Sequence, residues 1–259
     1  MFKDRIKKIY LYRHVLISMS ISQFKAKYAG SKLGIWWAVI IPLLLAGSIN
    51  LVFTRAFNVN VKHYTLFVLS GIIPWLFFSN ALMEAVNSFT GNASLIKQSI
   101  FPREFIPIAS IAGNLLNFLV GFIFLLPLFI IVNYKVLFMA GFLIILIICY
   151  FLFIVGIGFL FSTINVFFRD LGHFLSVGFM VWFWITPIFY SLDMLSFPIR
   201  WICLINPMSL YVIAYRKLLF DASGLSLFMI GGLILVSLGS LFIGYMIFIR
   251  NENNLLKQI

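Results

Sequence analysis

Phe105–Val132 reads FIPIASIAGNLLNFLVGFIFLLPLFIIV, 28 residues without one ionisable side chain. As a helix such a run rises about 42 Å at 1.5 Å per residue. The hydrocarbon core of a bilayer is only about 30 Å thick, so the segment is long enough to cross it. Working outward, five more apolar stretches of spanning length follow the same logic: Gly34–Phe53, Tyr64–Val86, Val136–Phe161, Leu171–Tyr190 and Leu225–Ile249. The polar breaks between them are short, at Arg55–His63, Asn87–Glu104, Asn133–Lys135 and Asn165–Asp170. The segment Ser191–Gly224 differs: it is semi-apolar, interrupted by Pro198 and Pro207, and too broken to span twice. The expectation is an all-α integral membrane protein with six transmembrane helices.

Composition agrees. Hydrophobic residues make up 63%, charged residues 10%, and the mean hydropathy is +1.10. A soluble domain carries about 45–50% apolar and about 25% charged residues, so a water-soluble fold would expose too much apolar surface. No polar insert is long enough to fold by itself, which leaves one membrane domain. Cys149 and Cys203 lie in apolar stretches without metal or disulfide spacing and read as buried thiols. The basic N-terminus lacks a short apolar core followed by a cleavage site, so no secretory signal peptide is expected.

Placing both termini in the cytoplasm puts 13 of the 19 Lys and Arg residues inside and 6 outside, as the positive-inside rule requires. The net charge of +12 therefore reads as topology and contact with anionic lipid; no aromatic-interleaved basic module suggests nucleic acid. Residues 1–33 precede the first span. On a helical wheel Lys3, Lys7, His14, Ser18 and Lys25 share one face, with Ile6, Ile9, Leu16 and Phe24 broadly opposite. This fits an amphipathic helix in the cytoplasmic interface, with a plain topology anchor as the alternative.

Several chemistries have no residues to carry them. There is no Gly-x-x-x-x-Gly-Lys-Ser/Thr phosphate loop, no His-Glu-x-x-His pair and no Gly-x-Ser-x-Gly elbow. No catalytic residue, metal ligand or cofactor site is assigned to this chain. The spans hold almost no ionisable groups, which argues against an ion-coupled pump; Glu84, Glu104 and His173 fall near span ends.

Six phrases recur in a telling order: Ser31-Lys32-Leu33-Gly34-Ile35-Trp36-Trp37; Ser70-Gly71-Ile72-Ile73-Pro74-Trp75-Leu76-Phe77-Phe78-Ser79; Asn92-Ala93-Ser94-Leu95-Ile96-Lys97 leading to Phe101-Pro102; Asn165-Val166-Phe167-Phe168-Arg169-Asp170; Pro187-Ile188-Phe189-Tyr190; and Asn206-Pro207. Together they resemble the permease subunit of type-2 ABC exporters, in the polysaccharide and polyol-phosphate branch that includes O-antigen permeases. The resemblance covers essentially the whole chain. It implies a homodimer in the bacterial inner membrane, paired with two separate ATP-binding subunits that hold ATP and Mg, and an undecaprenyl-linked glycan as cargo. A type-2 exporter of a small amphipathic compound is the alternative, and a membrane-bound glycan-modifying enzyme a remote third.

Three sets of residues follow as candidates. Ser94, Leu95, Ile96, Lys97, Phe101 and Arg103, within the 87–104 break, resemble a coupling helix that inserts into a groove of the ATPase; on the residues alone an ordinary connecting loop fits equally well. Trp75, Phe77, Phe78, Trp182, Trp184, Phe189 and Tyr190 offer ring faces that could line a glycan path, with core packing or an interfacial aromatic belt as the plainer alternative. Lys25, Lys27, Lys32 and Gly34 lie where the lipid head group would come in, and Lys is a suitable point charge for phosphate. Residues 191–224 resemble short periplasmic re-entrant helices that gate the channel, against the alternative of a surface loop.

Overall fold

The computed structural model describes residues 7–8, 10–56, 61–92 and 101–258. Every regular element among them is a helix: α1 (Arg13–Ala26), α2 (Trp37–Arg55), α3 (Tyr64–Val86), α4 (Ser88–Gly91), α5 (Phe105–Val132), α6 (Ala140–Phe167), α7 (Leu171–Ile185), α8 (Phe197–Ile205), α9 (Pro207–Leu219) and α10 (Leu227–Gln258). Five helical stretches, built on α2, α3, α5, α6 and α10, are long and apolar enough to cross a membrane. The pair α8 and α9, bent by 92°, supplies a sixth if taken as one broken span. The protein is a multi-pass membrane protein.

The expected fifth span needs correction. It was placed over Leu171–Tyr190, yet α7 stops at Ile185 after 15 residues, about 22 Å of rise. The cause is local: Thr186 precedes Pro187, and the proline ring pushes its predecessor out of the helical region. Thr186 accordingly takes φ −81° and ψ 133°. Two other boundaries shift. α6 runs on to Phe167, so Asn165 belongs to the helix and not to a break, and α10 continues for nine residues past the expected Ile249.

The α3 helix is the axis of the bundle. Residues such as Phe67, Leu69, Ile72, Phe78, Leu82 and Ala85 are buried along it, and α2, α5, α6, α7 and α9 all pack against it. Three tyrosines, Tyr150, Tyr211 and Tyr215, close the core between α6 and α9; the Tyr150 hydroxyl donates to the Pro74 carbonyl at 2.8 Å. The bundle has two distinct ends. One, called here the near end, carries α1, the last turn of α3 and the tail of α10. The far end carries the start of α3 and the pair α8–α9.

The tightest joint is between α6 and α10. A Cβ built on Gly244 would lie 1.9 Å from the Gly156 carbonyl oxygen, and one built on Gly156 would lie 2.3 Å from the Ser240 carbonyl carbon. Only hydrogen fits at either position, as where helices cross in close contact through small residues. Ser240 adds a hydrogen bond to the Phe153 carbonyl at 3.2 Å. Gly239, on the same helix, differs: nothing lies within 4 Å of a Cβ there.

Overpacking a core costs about 1–3 kcal/mol where side chains can yield, and here the obstruction is backbone. Gly156→Val should therefore destabilise by at least about 3 kcal/mol, read as a large fall in thermal midpoint of the detergent-solubilised protein. Gly239→Ala meets open space on a helix and should hold or raise that midpoint, since Ala is favoured over Gly by about 1 kcal/mol.

Candidate functional site

At the near end, the turn that leaves α1 brings two side chains onto the bundle. Lys27 Nζ lies 2.7 Å from Glu84 Oε1 on α3 and also donates to Asn114 Oδ1 on α5. Asn114 Nδ2 donates to the second carboxylate oxygen, Glu84 Oε2, at 2.6 Å and to the Ser110 carbonyl at 2.9 Å. Tyr28 donates to Asn117 Oδ1. α1 can approach α5 this closely because a Cβ on Gly113 would already lie 2.9 Å from the Gln23 Cβ. Its half-buried residues, among them Leu16, Met19, Gln23 and Phe24, recur at helical spacing, while His14, Ser18 and Lys25 stay exposed. Of the residues expected at the head-group position, Lys27 is thus engaged, whereas Lys25 and Lys32 stand exposed. Gly34 adopts φ 50°, a left-handed conformation that favours glycine, and its N–H donates to Ser31 Oγ at 3.2 Å.

The core of the expected coupling segment, Ser94, Leu95, Ile96 and Lys97, lies outside the described residues. Its flank is well tied down. Phe101 stacks on Phe105 with ring centres 6.1 Å apart, and Arg103 pairs with Glu252 on α10 at 3.0 Å. Next to it, buried Glu104 accepts a hydrogen bond from Tyr245 at 3.4 Å. Behind, Asn165 of α6 donates to the Val86 carbonyl at 3.0 Å and so caps the last turn of α3.

The rings expected to line a path separate into two groups. Trp75, Phe77, Phe78 and Phe189 are buried within the single chain. They belong to a continuous lattice in which Phe78 meets Trp182 at 5.1 Å and Phe153 at 6.0 Å, and Trp75 meets Phe183 at 5.5 Å. In this conformation these four are core. Trp182 and Tyr190 are half-buried, and Trp184 is 60% exposed. Trp184 shares an outward face of α7 with Phe174, Val177 and Val181, all exposed; the helix buries only Phe179.

At the far end the Thr186 carbonyl accepts from Ile188 N at 2.7 Å, but the unwound residues 187–190 have no ladder for their carbonyls to join. Side chains serve them instead. Arg216 of α9 donates from Nη2 to the Pro187 and Ile188 carbonyls, both at 2.7 Å, and from Nη1 to the Tyr190 carbonyl at 3.4 Å. Tyr64 donates to the Phe189 carbonyl at 2.6 Å. The last turn of α7 is served by the Tyr190 hydroxyl, 2.9 Å from the Ile185 carbonyl oxygen and 3.0 Å from that of Trp184. Asn206 ties the neighbours together: it accepts from Trp182 Nε1 at 2.8 Å, donates to Thr186 Oγ1 at 3.1 Å, and caps α9 by accepting from Met208 N at 3.0 Å. The Arg216 guanidinium also lies 3.7 Å from the Phe67 ring centre, a cation–π contact. Arg216 is one of the six Lys and Arg residues that the charge distribution assigns to the outer side; the further signal in the sequence is an arginine set among apolar residues within a helix. The Asn206-Pro207 phrase, by contrast, marks a cap and an N1 proline.

No group of three His, Cys, Asp or Glu side chains converges among the described residues. What the chain offers is an anion-holding cluster at one end and a braced, unwound hairpin at the other.

Residues 14–220 match the family model described as ABC-2 type transporter. The O-antigen export system permease protein RfbA of Klebsiella pneumoniae is 32% identical over 235 residues, covering 87% of this chain and 89% of that protein. A second Klebsiella pneumoniae protein of the same name is 32% identical over 210 residues, 81% of each chain. The Myxococcus xanthus protein so named is 29% identical over 227 residues, 83% of this chain and 84% of its own length.

Arg216→Leu would strip donors from three carbonyls. An unsatisfied buried polar group costs about 1–3 kcal/mol, so the loss should be at least about 3 kcal/mol. The buried Cys203, whose thiol donates to the Ile185 carbonyl at 3.2 Å, reports on it. In a Cys149→Ser background, a membrane-impermeant thiol reagent should label Cys203 faster in the Arg216→Leu protein. Unchanged labelling and thermal midpoint would show that the hairpin holds without Arg216.

Proposed function

Because this chain belongs to the ABC-2 type transporter family, we propose that it is the permease subunit of an exporter that moves a lipid-linked, O-antigen-like polysaccharide across the bacterial inner membrane. The observation that carries this reading is likeness along most of both chains to permeases named for O-antigen export. The chain has no phosphate loop of its own, so ATP and Mg belong to a separate ATPase, two copies of which would drive a permease dimer. The near end faces the cytoplasm in this reading, consistent with the 13-to-6 distribution of Lys and Arg. α1 then lies along the cytoplasmic interface, and the α8–α9 pair forms the periplasmic re-entrant element over the path.

Two features support the assembly. The outward face of α7, with Phe174, Val177, Val181 and Trp184, is apolar and exposed. A second copy meeting it there would close a path that one chain is too small to enclose. Trp184 and Tyr190 are the rings of the expected set best placed to meet passing sugars, because a stacking contact is indifferent to which hydroxyl points where. On the cytoplasmic side Ser94, Leu95, Ile96 and Lys97, with Phe101 and Arg103, would contact the ATPase; the Arg103–Glu252 pair joins that contact to α10.

Deleting the gene should leave undecaprenyl-linked glycan on the cytoplasmic face; glycan found outside at the normal level would sink the proposal. Ile96→Asp should separate permease from ATPase on co-purification, since an unpaired carboxylate in an apolar groove costs several kcal/mol. Trp184→Ala should slow glycan export while changing stability by no more than about 0.5 kcal/mol, as for other exposed positions.

A further inference from the structure

Lys27 is exposed over only 20% of its side chain, and it already holds an anion: Glu84, itself 39% exposed, at 2.7 Å. Two donors converge on that one carboxylate. Lys27 Nζ takes Oε1 and Asn114 Nδ2 takes Oε2 at 2.6 Å, with Asn114 buried and fixed by its own bond to Ser110. A charged donor and a neutral one, gripping the two oxygens of one group, make a forked anion cradle. Lys25 and Lys32 flank it, exposed. Lys25 lies on the last turn of α1, and the turn that follows, from Tyr28 to Gly34, carries Lys32 and has left-handed backbone at Gly30 and Gly34, with φ 78° and 50°.

We propose that Glu84 is a tethered stand-in for phosphate: it fills the Lys27–Asn114 cradle when no lipid phosphate is present, and the phosphate of the lipid-linked cargo displaces it. This rests on the export reading above. The exchange is cheap because one charge-assisted pair replaces another, so Lys27 is never left buried and unpaired. A pyrophosphate brings more charge and more acceptor oxygens than a carboxylate, and therefore wins. Glu84 can turn outward, since more than a third of it is already exposed. It sits on the last turn of α3, whose end leads through α4 toward the coupling segment. Displacing it would thus alter the same helix end that the ATPase engages.

The opposed behaviour of the two partners tests this. The full permease–ATPase complex, in nanodiscs of neutral lipid, is titrated with a short-chain polyprenyl pyrophosphate while ATP hydrolysis is followed. Glu84→Gln removes the competitor and should lower the half-stimulating concentration by about ten-fold, the equivalent of one charge-assisted hydrogen bond. Lys27→Gln removes the ligand and should raise it by at least about ten-fold, and the double variant should follow Lys27→Gln. If the pair is only structural, both single changes break the same contact and move the response the same way, which overturns the inference. Thermal stabilisation by the same probe, measured on the permease without ATPase, gives the same comparison should a variant couple poorly. Opposed shifts produced by phosphatidylglycerol nanodiscs alone would assign the cradle to bulk lipid and overturn its assignment to the cargo. A parental complex that ignores the pyrophosphate lipid refutes the export reading as well, whereas a parental response with parallel shifts refutes only the role of Glu84.

Discussion

A buried backbone carbonyl has no water to turn to, and that constraint shapes the far end of this protein, where residues 186–189 are buried. Spanning structure is ordinarily helical because a helix satisfies its own polar groups. Here the chain gives up helix at Thr186 and must find donors for residues 187–190 elsewhere. It finds them on two other elements, Arg216 on α9 and Tyr64 at the start of α3, while Tyr190 turns back to serve the last turn of α7. One arginine suits the task because its planar fork presents several donors in fixed directions. Its charge is spread over carbonyl dipoles and an aromatic face. The position of α9, and through it the packing of Tyr211 and Tyr215 against the core, follows from that single braced turn.

The near end solves a different problem. There the chain holds polar groups that could reach water, and it holds them in pairs that join separate helices: Lys27 with Glu84, Tyr28 with Asn117, Arg103 with Glu252. Partly exposed ion pairs contribute little to stability. Their value is positional. They fix α1 on the bundle and join the start of α5 to the tail of α10.

Much of this was legible in the sequence, and the gaps have physical causes. Long apolar runs give away spanning helices because length and hydropathy are properties of one segment: α3 and α5 have the expected bounds and α2 lies within three residues of them, while α6 and α10 run six and nine residues further. The end of α7 was missed because hydropathy does not register a proline's effect on its predecessor; Thr186-Pro187 was the signal available. Aromatic residues were harder. Trp75, Phe78 and Trp184 look alike on the page, and whether a ring is core or surface depends on which helices surround it. Arg216 could be read only as one of the six outer-side basic residues, because the identity of its acceptors is settled only once α9 folds back onto residues 187–190.

The contrast between α6 and α7 carries a consequence for how such proteins diversify. At the Gly156–Gly244 crossing every atom larger than hydrogen collides with backbone, so drift there is closed off. α7 presents most of its side chains outward and buries only Phe179, so changes along its outer face cost the fold almost nothing. A lineage can therefore revise the one surface while the scaffold stays fixed. Selection for a new cargo would find its raw material on α7, and the record of past cargoes should be written there.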